Sequence, residues 1–226
     1  MENFSQILQR ATERKGGAAQ LEALLPKVKT SQQISQISNQ TCLSEMSKKI
    51  FQSGFVWRVV EAKWPGFEEV FWQFQPEKLV LASDEQIEKM SQDTRIIRNF
   101  TKVKSIRHNA NFILEISEKH GSFGQFLSEW PENNIIELWQ LLKKQGSRLG
   151  GNTGPYFLRT IGKDTFLLSQ DTVGYFISQN VISRHPTSMR DLNLIQNIFN
   201  DLQQQSGMSY SEISRIISLS FGDNIM

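Results

Sequence analysis

Residues 134–162 read NIIELWQLLKKQGSRLGGNTGPYFLRTIG, and this stretch decides how the chain is interpreted. A helical segment leads into a glycine-rich loop from Gly146 to Gly154, and Pro155 then opens a second helix at a position that favours proline. A tight hairpin between two helices brings backbone N–H groups and a helix N-terminus to one exposed point, which suits a phosphate. The same pattern is typical of an ordinary corner between helices, where glycines supply positive φ. The stretch predicts a helical hairpin, with phosphate binding as one of two interpretations.

The residues on both sides of the hairpin follow a helical period almost throughout. The nearest approach to a strand, Thr165 to Ser169, is too short to build a sheet. Besides a helix that ends at Gly54 and another that begins after Ser83, helices are predicted over residues 2–14, 56–63, 67–74, 95–118, 122–129, 132–145, 155–162, 171–182, 189–205 and 209–219. The predicted fold class is therefore all-α.

Local breaks divide the chain into three predicted parts. The Gln- and Ser-rich stretch 31–40 is expected to be an extended connector, so residues 1–40 form an N-terminal helix and a linker. A central helical domain spans 41–185, with the hairpin at 146–155. Residues 186–226 are expected to form C-terminal helices that pack on this domain.

Two short motifs predict where helices begin and end. The WPG sequence at Trp64, Pro65 and Gly66 is expected to be a turn between two helices, because proline disrupts a helix interior. The SDEQ sequence at 83–86 has the pattern of a capping box, with Ser83 as N-cap and Gln86 three residues later.

Composition excludes several classes of protein. The single Cys42 rules out a disulfide framework within the chain and a cysteine-rich zinc cluster, and the three histidines lack ligand spacing. No stretch approaches the roughly 18 apolar residues of a membrane span, and the N-terminus lacks the core of a signal peptide. Phosphate-loop, dinucleotide-binding, nucleophile-elbow and HExxH motifs are absent. We therefore expect a cytoplasmic protein without cofactor, metal or membrane partner.

The net charge of +2 conceals an uneven distribution. Residues 95–107 and 143–163 contain no acid and hold ten of the 25 Lys and Arg, which leaves 15 basic against 23 acidic groups elsewhere. Such asymmetry is typical of a polyanion-binding face on an acidic body, and also of two solvated helix faces. Arg148 and Lys163 flank the hairpin, so under the first interpretation they would contact a phosphate together with the amides around Gly151 and Gly154.

Three blocks together resemble a known family. These are IFQSGFVWRVVEAKWPGFEEVFWQFQPEKL at 50–79, IIRNFTKVKSIRHNA at 96–110, and the hairpin followed by an aspartate at a helix start. The chain resembles DNA-3-methyladenine glycosylase I, the Tag family, within the helix-hairpin-helix superfamily of DNA glycosylases. The resemblance covers residues 43–182. It implies base excision repair, with a monomer acting on double-stranded DNA that contains damaged bases.

The resemblance also implies a base pocket, because a glycosylase extrudes its target base from the stack. Trp57 aligns with the family's base-stacking Trp, and Phe55 falls in its pocket region, although both residue types are also common in cores. The family's base-recognising Glu falls at Lys49. Glu45 lies one helical turn earlier on the same face, so we expect Glu45 to substitute for it.

The catalytic expectation concerns Asp171, which matches the superfamily's catalytic Asp and follows the N-cap candidate Ser169. A carboxylate there would stabilise an oxocarbenium-like sugar or align water, whereas on its own it is also a common helix-start acid. Bifunctional members of the superfamily carry a Schiff-base Lys at the position of Tyr156, so a monofunctional hydrolase of alkylated purines such as 3-methyladenine is implied. Two alternatives stay open: a non-catalytic DNA-binding relative, and a helical protein whose basic stretches bind an acidic partner.

Overall fold

The computed structural model describes residues 1–222, and within them the chain is helical without a strand. The prediction of an all-α fold is confirmed. Two 3₁₀-helical turns lie at Trp72–Phe74 and Glu132–Asn134. The helices are α1 Phe4–Arg14, α2 Ala18–Glu22, α3 Ser31–Ser35, α4 Asn39–Gln52, α5 Trp57–Val70, α6 Pro76–Leu79, α7 Asp84–Ser91, α8 Phe100–His120, α9 Phe123–Glu129, α10 Ile135–Gln145, α11 Thr153–Ile161, α12 Gln170–Ser178, α13 Met189–Ser206 and α14 Tyr210–Ser220.

The chain separates into two compact units. One contains Lys29–Trp130 and Leu138–Lys163, and the other contains Met1–Val28, Pro131–Glu137 and the chain from Asp164 onward. This division differs from the predicted boundaries at 40 and 185. Residues 164–185, which we expected in the central domain, group with the two terminal segments, because α12 packs on α14 and α1 packs on α14.

We call the unit that contains residues 29–130 and 138–163 the hairpin unit. Its central helix is α4, which packs against α5, α8 and α11. An aromatic cluster fills the space beside α4, where Trp64 stacks on Phe67 at 4.8 Å and on Phe74 at 5.4 Å between ring centroids. In the other unit, Phe166 stacks on Phe199 with the rings almost parallel, at 4.1 Å and 2°.

The WPG sequence lies inside one helix, so the prediction of a turn there is wrong. Helix α5 continues through Pro65, although proline removes a backbone donor at that point. Burial of Trp64 against the aromatic cluster offsets this cost. Gly66 is required by packing and not by a turn, because a Cβ there would lie 2.6 Å from the carbonyl oxygen of Arg95.

The expected extended connector at 31–40 is also helical in part. Thr30 accepts a hydrogen bond from the amide of Gln33, whose side chain accepts one from Thr30 in return, and this capping box starts α3. Ser38 then caps α4. A capping box needs only Ser or Thr followed three residues later by Gln, so the signal was in the sequence. The capping box predicted at Ser83 is confirmed.

Within the described residues, no helix is both long enough and apolar enough to cross a bilayer.

Candidate functional site

A pocket of about 300 Å³ opens on the hairpin unit. Its walls come from the end of α4, the start of α5 and the start of α11. The volume is at the lower end of the range for small-molecule sites. The side chains that line it are Lys49, Gln52, Ser53, Trp57, Thr153 and Tyr156, together with Asn152.

Two aromatic rings that contact each other line this pocket. Trp57, the first residue of α5, meets the ring of Tyr156 edge to face, with centroids 5.8 Å apart and planes at 86°. Trp57 is 49% exposed, so it is not a core residue. The structure thus places Trp57 and Tyr156 on one cavity, and a role of Trp57 in binding a base stays a prediction.

Lys49 supplies the charged group of the pocket. It is only 9% exposed, and its Nζ donates to Oε1 of Gln52 at 2.8 Å. The same ammonium lies 5.0 Å from the centre of the Trp57 ring. Burial lowers the pKa of Lys49, and neighbouring Lys48 acts in the same direction, although Glu45 and Glu61 oppose the shift.

Glu45 does not take the predicted place on the pocket. Its carboxylate pairs with Lys48 at 3.4 Å, and the charged residue that α4 contributes to the lining is Lys49. Glu45 lies one helical turn before Lys49 along α4, and the ammonium of Lys48 pairs with its carboxylate there.

Phe55, also expected in the pocket, is half-buried and is not among the residues that line it. Its ring stacks against Phe51 with centroids 6.4 Å apart, and Nζ of Lys102 lies 5.0 Å from its centre. Lys102 is itself buried and donates to the carbonyl oxygens of Ile50 and Phe51, which belong to the last turn of α4. Lys102 therefore stabilises the end of the helix that carries Lys49 and Gln52.

The hairpin is fixed to α8 by a pair of hydrogen bonds that the sequence reasoning missed. Asn109 is fully buried, accepts from the Ser147 amide at 2.7 Å and donates to the Ser147 carbonyl at 3.1 Å. On the same helix, Nε2 of His108 lies 2.9 Å from the carbonyl oxygen of Gln145. Asn109 lies within the 96–110 block, but nothing local to it identifies the hairpin as its partner.

The two hairpin glycines named from the sequence differ in environment. Gly151 is exposed at φ +60°, with no atom within 4 Å of where a Cβ would stand. Gly154 is buried, its amide donates to the Leu149 carbonyl at 3.2 Å, and a Cβ there would lie 2.8 Å from that oxygen. Gly151 is therefore open to solvent, whereas Gly154 closes the hairpin.

The basic residues around the hairpin also differ in their exposure to solvent. Arg148 is exposed at φ +63°, and Lys143 and Lys144 are exposed at the end of α10. Lys163 differs from the prediction: it is 2% exposed and its Nζ donates to the Trp130 carbonyl at 2.7 Å, so it holds the end of α9 instead of facing solvent. In the 95–107 stretch, several cations pair with acids or carbonyls nearby, as Arg95 does with Asp93 and Glu69.

Asp171 belongs to the other unit. It occupies the first turn of α12, whose N-cap is Ser169, as the sequence predicted. Its Oδ2 accepts from Ser218 Oγ at 3.5 Å, and its Oδ1 lies against Gly222. The helix N-terminus favours a negative charge at this position.

Comparison with known proteins gives a consistent result. A family model described as methyladenine glycosylase matches residues 26–149, more than half of the 226 residues. The DNA-3-methyladenine glycosylase 1 of Escherichia coli is 29% identical over 143 residues, which are 51% of this chain and 76% of that protein.

Solved structures extend the likeness at the level of fold. The 3-methyladenine DNA glycosylase I of Staphylococcus aureus superposes with a TM-score of 0.52 at 20% identity, covering 63% of this chain and 82% of that one. An 8-oxoguanine DNA glycosylase of Methanocaldococcus jannaschii superposes with a TM-score of 0.58 at 15% identity, covering 94% of this chain and 92% of that one. The second match includes terminal segments that the sequence resemblance left outside.

Proposed function

Because the chain belongs to the methyladenine glycosylase family, we propose that it releases alkylated purines such as 3-methyladenine from double-stranded DNA. The family match confirms the predicted enzyme class, a DNA glycosylase of base excision repair. The bond that breaks is the N-glycosidic bond between base and sugar, and the reaction we propose is a monofunctional hydrolysis.

The observation that carries the proposal is the pocket that Trp57 and Tyr156 help to line. It is lined by two aromatic rings and by polar groups of Lys49 and Gln52, and its volume is about 300 Å³. An extruded base needs stacking partners on its faces and hydrogen-bonding groups at its edge. Stacking on an aromatic ring contributes about 1–3 kcal/mol per base, so these rings offset much of the cost of unstacking.

The hairpin supports DNA binding next to that pocket. Asn152 and Thr153 of the hairpin form part of the pocket wall, so a phosphate held at the hairpin is close to the extruded nucleotide. Gly151 leaves the backbone at the tip open, and Arg148 and Lys143 add exposed positive charge. Contacts of this kind position DNA without reading its sequence.

The chemistry we propose uses water as nucleophile. Tyr156 stands where bifunctional relatives place a Schiff-base Lys, and a phenol cannot form an imine. Asp171, in the first turn of α12, would stabilise positive charge on the sugar as the base leaves. A purine made cationic by alkylation is already a good leaving group, so the reaction needs little acid catalysis.

The test is direct release of bases. The full chain is incubated with duplex DNA methylated by N-methyl-N-nitrosourea, and free bases are separated by chromatography while abasic sites are counted. We expect released methylpurines in amounts equal to the abasic sites, without strand cleavage. A second aliquot with sodium borohydride should yield no covalent protein–DNA adduct, because borohydride traps only an imine.

Two results would change the proposal in different ways. DNA binding with no base release would identify the alternative, a DNA-binding protein that has lost its chemistry. A borohydride-trapped adduct would overturn the monofunctional mechanism, with Lys49 as the first residue to replace, since it lines the same pocket as Tyr156.

A further inference from the structure

We propose that Lys49 makes this pocket selective for 6-oxopurines, bases of the guanine or hypoxanthine type, over 6-aminopurines such as methyladenine. The inference rests on the proposed glycosylase function and specifies the substrate class of that site. It follows from which charged groups around the pocket already have partners and which do not.

The two carboxylates near Lys49 are engaged by a different residue. Glu45 and Glu61 lie 3.4 and 3.8 Å from Nζ of Lys48. Among the described residues, no carboxylate lies within salt-bridge distance of Lys49. Lys49 is therefore a buried cation with no carboxylate in direct contact, and it lines an open cavity. Such a group gains free energy from any acceptor that a ligand brings to it.

The orientation of Gln52 leaves Lys49 as the donor of the pocket. Nε2 of Gln52 donates to Glu61 Oε1 at 2.8 Å, which turns Oε1 of Gln52 toward Lys49. This carbonyl takes one of the three ammonium hydrogens, and the face of Trp57 lies beside the same ammonium. The remaining capacity of Lys49 is a donor, and a base edge that enters the pocket meets it.

The bases differ at the edge that such a donor reads. A 6-oxopurine presents two adjacent acceptors, O6 and N7, and this is the pair that Lys and Arg bind when they read guanine in DNA. A 6-aminopurine presents the N6 amino group beside N7, so its N–H donors would face the ammonium of Lys49. Trp57 and Tyr156 do not distinguish the two classes, because every base has a π face.

Charge alone does not explain the preference in a matched pair of substrates. Methylation at N3 makes both adenine and guanine cationic within DNA, so repulsion from Lys49 applies equally to 3-methyladenine and 3-methylguanine. At the 6-position, 3-methylguanine carries the acceptor O6, whereas 3-methyladenine carries the N6 amino group. A hydrogen bond of this type discriminates by about ten-fold or more.

One experiment measures the preference internally. Duplex DNA treated with N-methyl-N-nitrosourea contains both 3-methylpurines, and their rates of release by the full chain are compared in the same reaction. We expect 3-methylguanine to be released about ten-fold faster per lesion than 3-methyladenine. Equal rates, or faster release of 3-methyladenine, would overturn the inference. A duplex with one hypoxanthine tests the same edge without the methyl group and its charge, and its release is expected to exceed that of adenine.

Substitutions at Lys49 test whether this residue causes the preference for 6-oxopurines. Lys49→Met removes the donor and should abolish the preference, and Lys49→Glu should reverse it because a carboxylate accepts from N6. Lys63→Met is the matched control, since Lys63 lies on α5 and donates to the Thr94 carbonyl away from the lining residues. An unchanged preference in a folded Lys49→Met protein contradicts the inference, and this variant decides the matter if Lys49→Glu does not fold.

A separate binding measurement distinguishes failure of this inference from failure of the proposed function. If no base of any kind is released, the glycosylase proposal fails, and binding of free hypoxanthine and free adenine to the full chain is then compared by ligand-observed NMR. Stronger binding of hypoxanthine that is lost in Lys49→Met supports the selectivity on its own. Equal binding of the two bases rejects it.

Discussion

Asn109 and Ser147 exchange two hydrogen bonds, with the Asn109 side chain accepting from the Ser147 amide at 2.7 Å and donating to its carbonyl at 3.1 Å. A buried side chain in the middle of α8 thereby fixes the first residues of the hairpin loop. The pocket wall formed by Asn152 and Thr153 continues from this loop. The geometry of the candidate site therefore depends on a residue that does not line it.

Replacing Asn109 is expected to loosen the hairpin. In Asn109→Ala both backbone groups of Ser147 lose their partner inside the protein, which costs about 1–3 kcal/mol. We expect lower stability in urea unfolding and weaker DNA binding. Asn111→Ala is the control, because Asn111 is an exposed residue of the same helix that bonds only to Glu115 one turn away. Equal stability of the two variants would show that the clamp contributes nothing.

Trp57 and Trp64 are expected to respond oppositely to truncation. Trp57→Ala should leave stability nearly unchanged because the side chain is 49% exposed, yet base release should fall. Losing a stacking contact of about 1–3 kcal/mol corresponds to roughly 5- to 150-fold. Trp64→Ala should cost about 3–5 kcal/mol of stability, since Trp64 is buried in the aromatic cluster. Thermal unfolding and single-turnover release measure the two effects.

The hairpin cations are tested by the salt dependence of DNA affinity. Arg148→Asn removes a charge and keeps a residue that tolerates the positive φ of this position. Combined with Lys143→Gln, it should weaken binding to every DNA sequence and reduce the slope of log affinity against log salt by about 1–2 units. Lys163→Gln is the comparison: its buried ammonium binds the Trp130 carbonyl, so it should lower stability and leave the slope unchanged. The prediction fails if the double variant keeps the wild-type slope.

Asp171→Asn separates binding from chemistry. The two side chains are nearly isosteric, so the fold and most of the DNA affinity should persist. Removal of a negative charge also reduces repulsion of the DNA polyanion. Excision should fall by about 100-fold if the carboxylate stabilises the positive charge that develops on the sugar. Single-turnover release on saturating methylated duplex compares the two proteins. Equal rates would mean that Asp171 serves only the start of α12.

Cys42 is expected to be inert in the folded protein. It is fully buried in α4, and burial raises the pKa of its thiol to about 12, so almost no thiolate exists at pH 8. Ellman's reagent should leave the native protein unlabelled at pH 8 and label one thiol per chain after urea is added. Rapid labelling without urea would indicate that α4 opens readily.

Several predictions from the sequence held because they depend on neighbours along the chain. Ser83 and Ser169 cap their helices, as their positions before apolar helical segments indicated. The hairpin follows from its glycines and Pro155, which act on the backbone directly. The prediction of a turn at WPG was wrong because it considered only the local cost of Pro65 in a helix. Burial of Trp64 in the aromatic cluster outweighs that cost, and this burial depends on residues distant in the sequence.

The sequence by itself determined the all-α class, the hairpin and, through the block at 96–110, the family. The class depends on the helical period of the apolar residues, the hairpin on its glycines and proline, and the family on a motif of consecutive residues. Only the tertiary structure decided which charged side chains face the pocket and which are already paired with another group. Lys49 is left without a carboxylate because Lys48 holds both Glu45 and Glu61, and Lys163 is turned inward by the carbonyl of Trp130, 33 residues earlier. Partners of a long side chain are set by what folding brings within about 3 Å of its end, and neither composition nor spacing contains that distance.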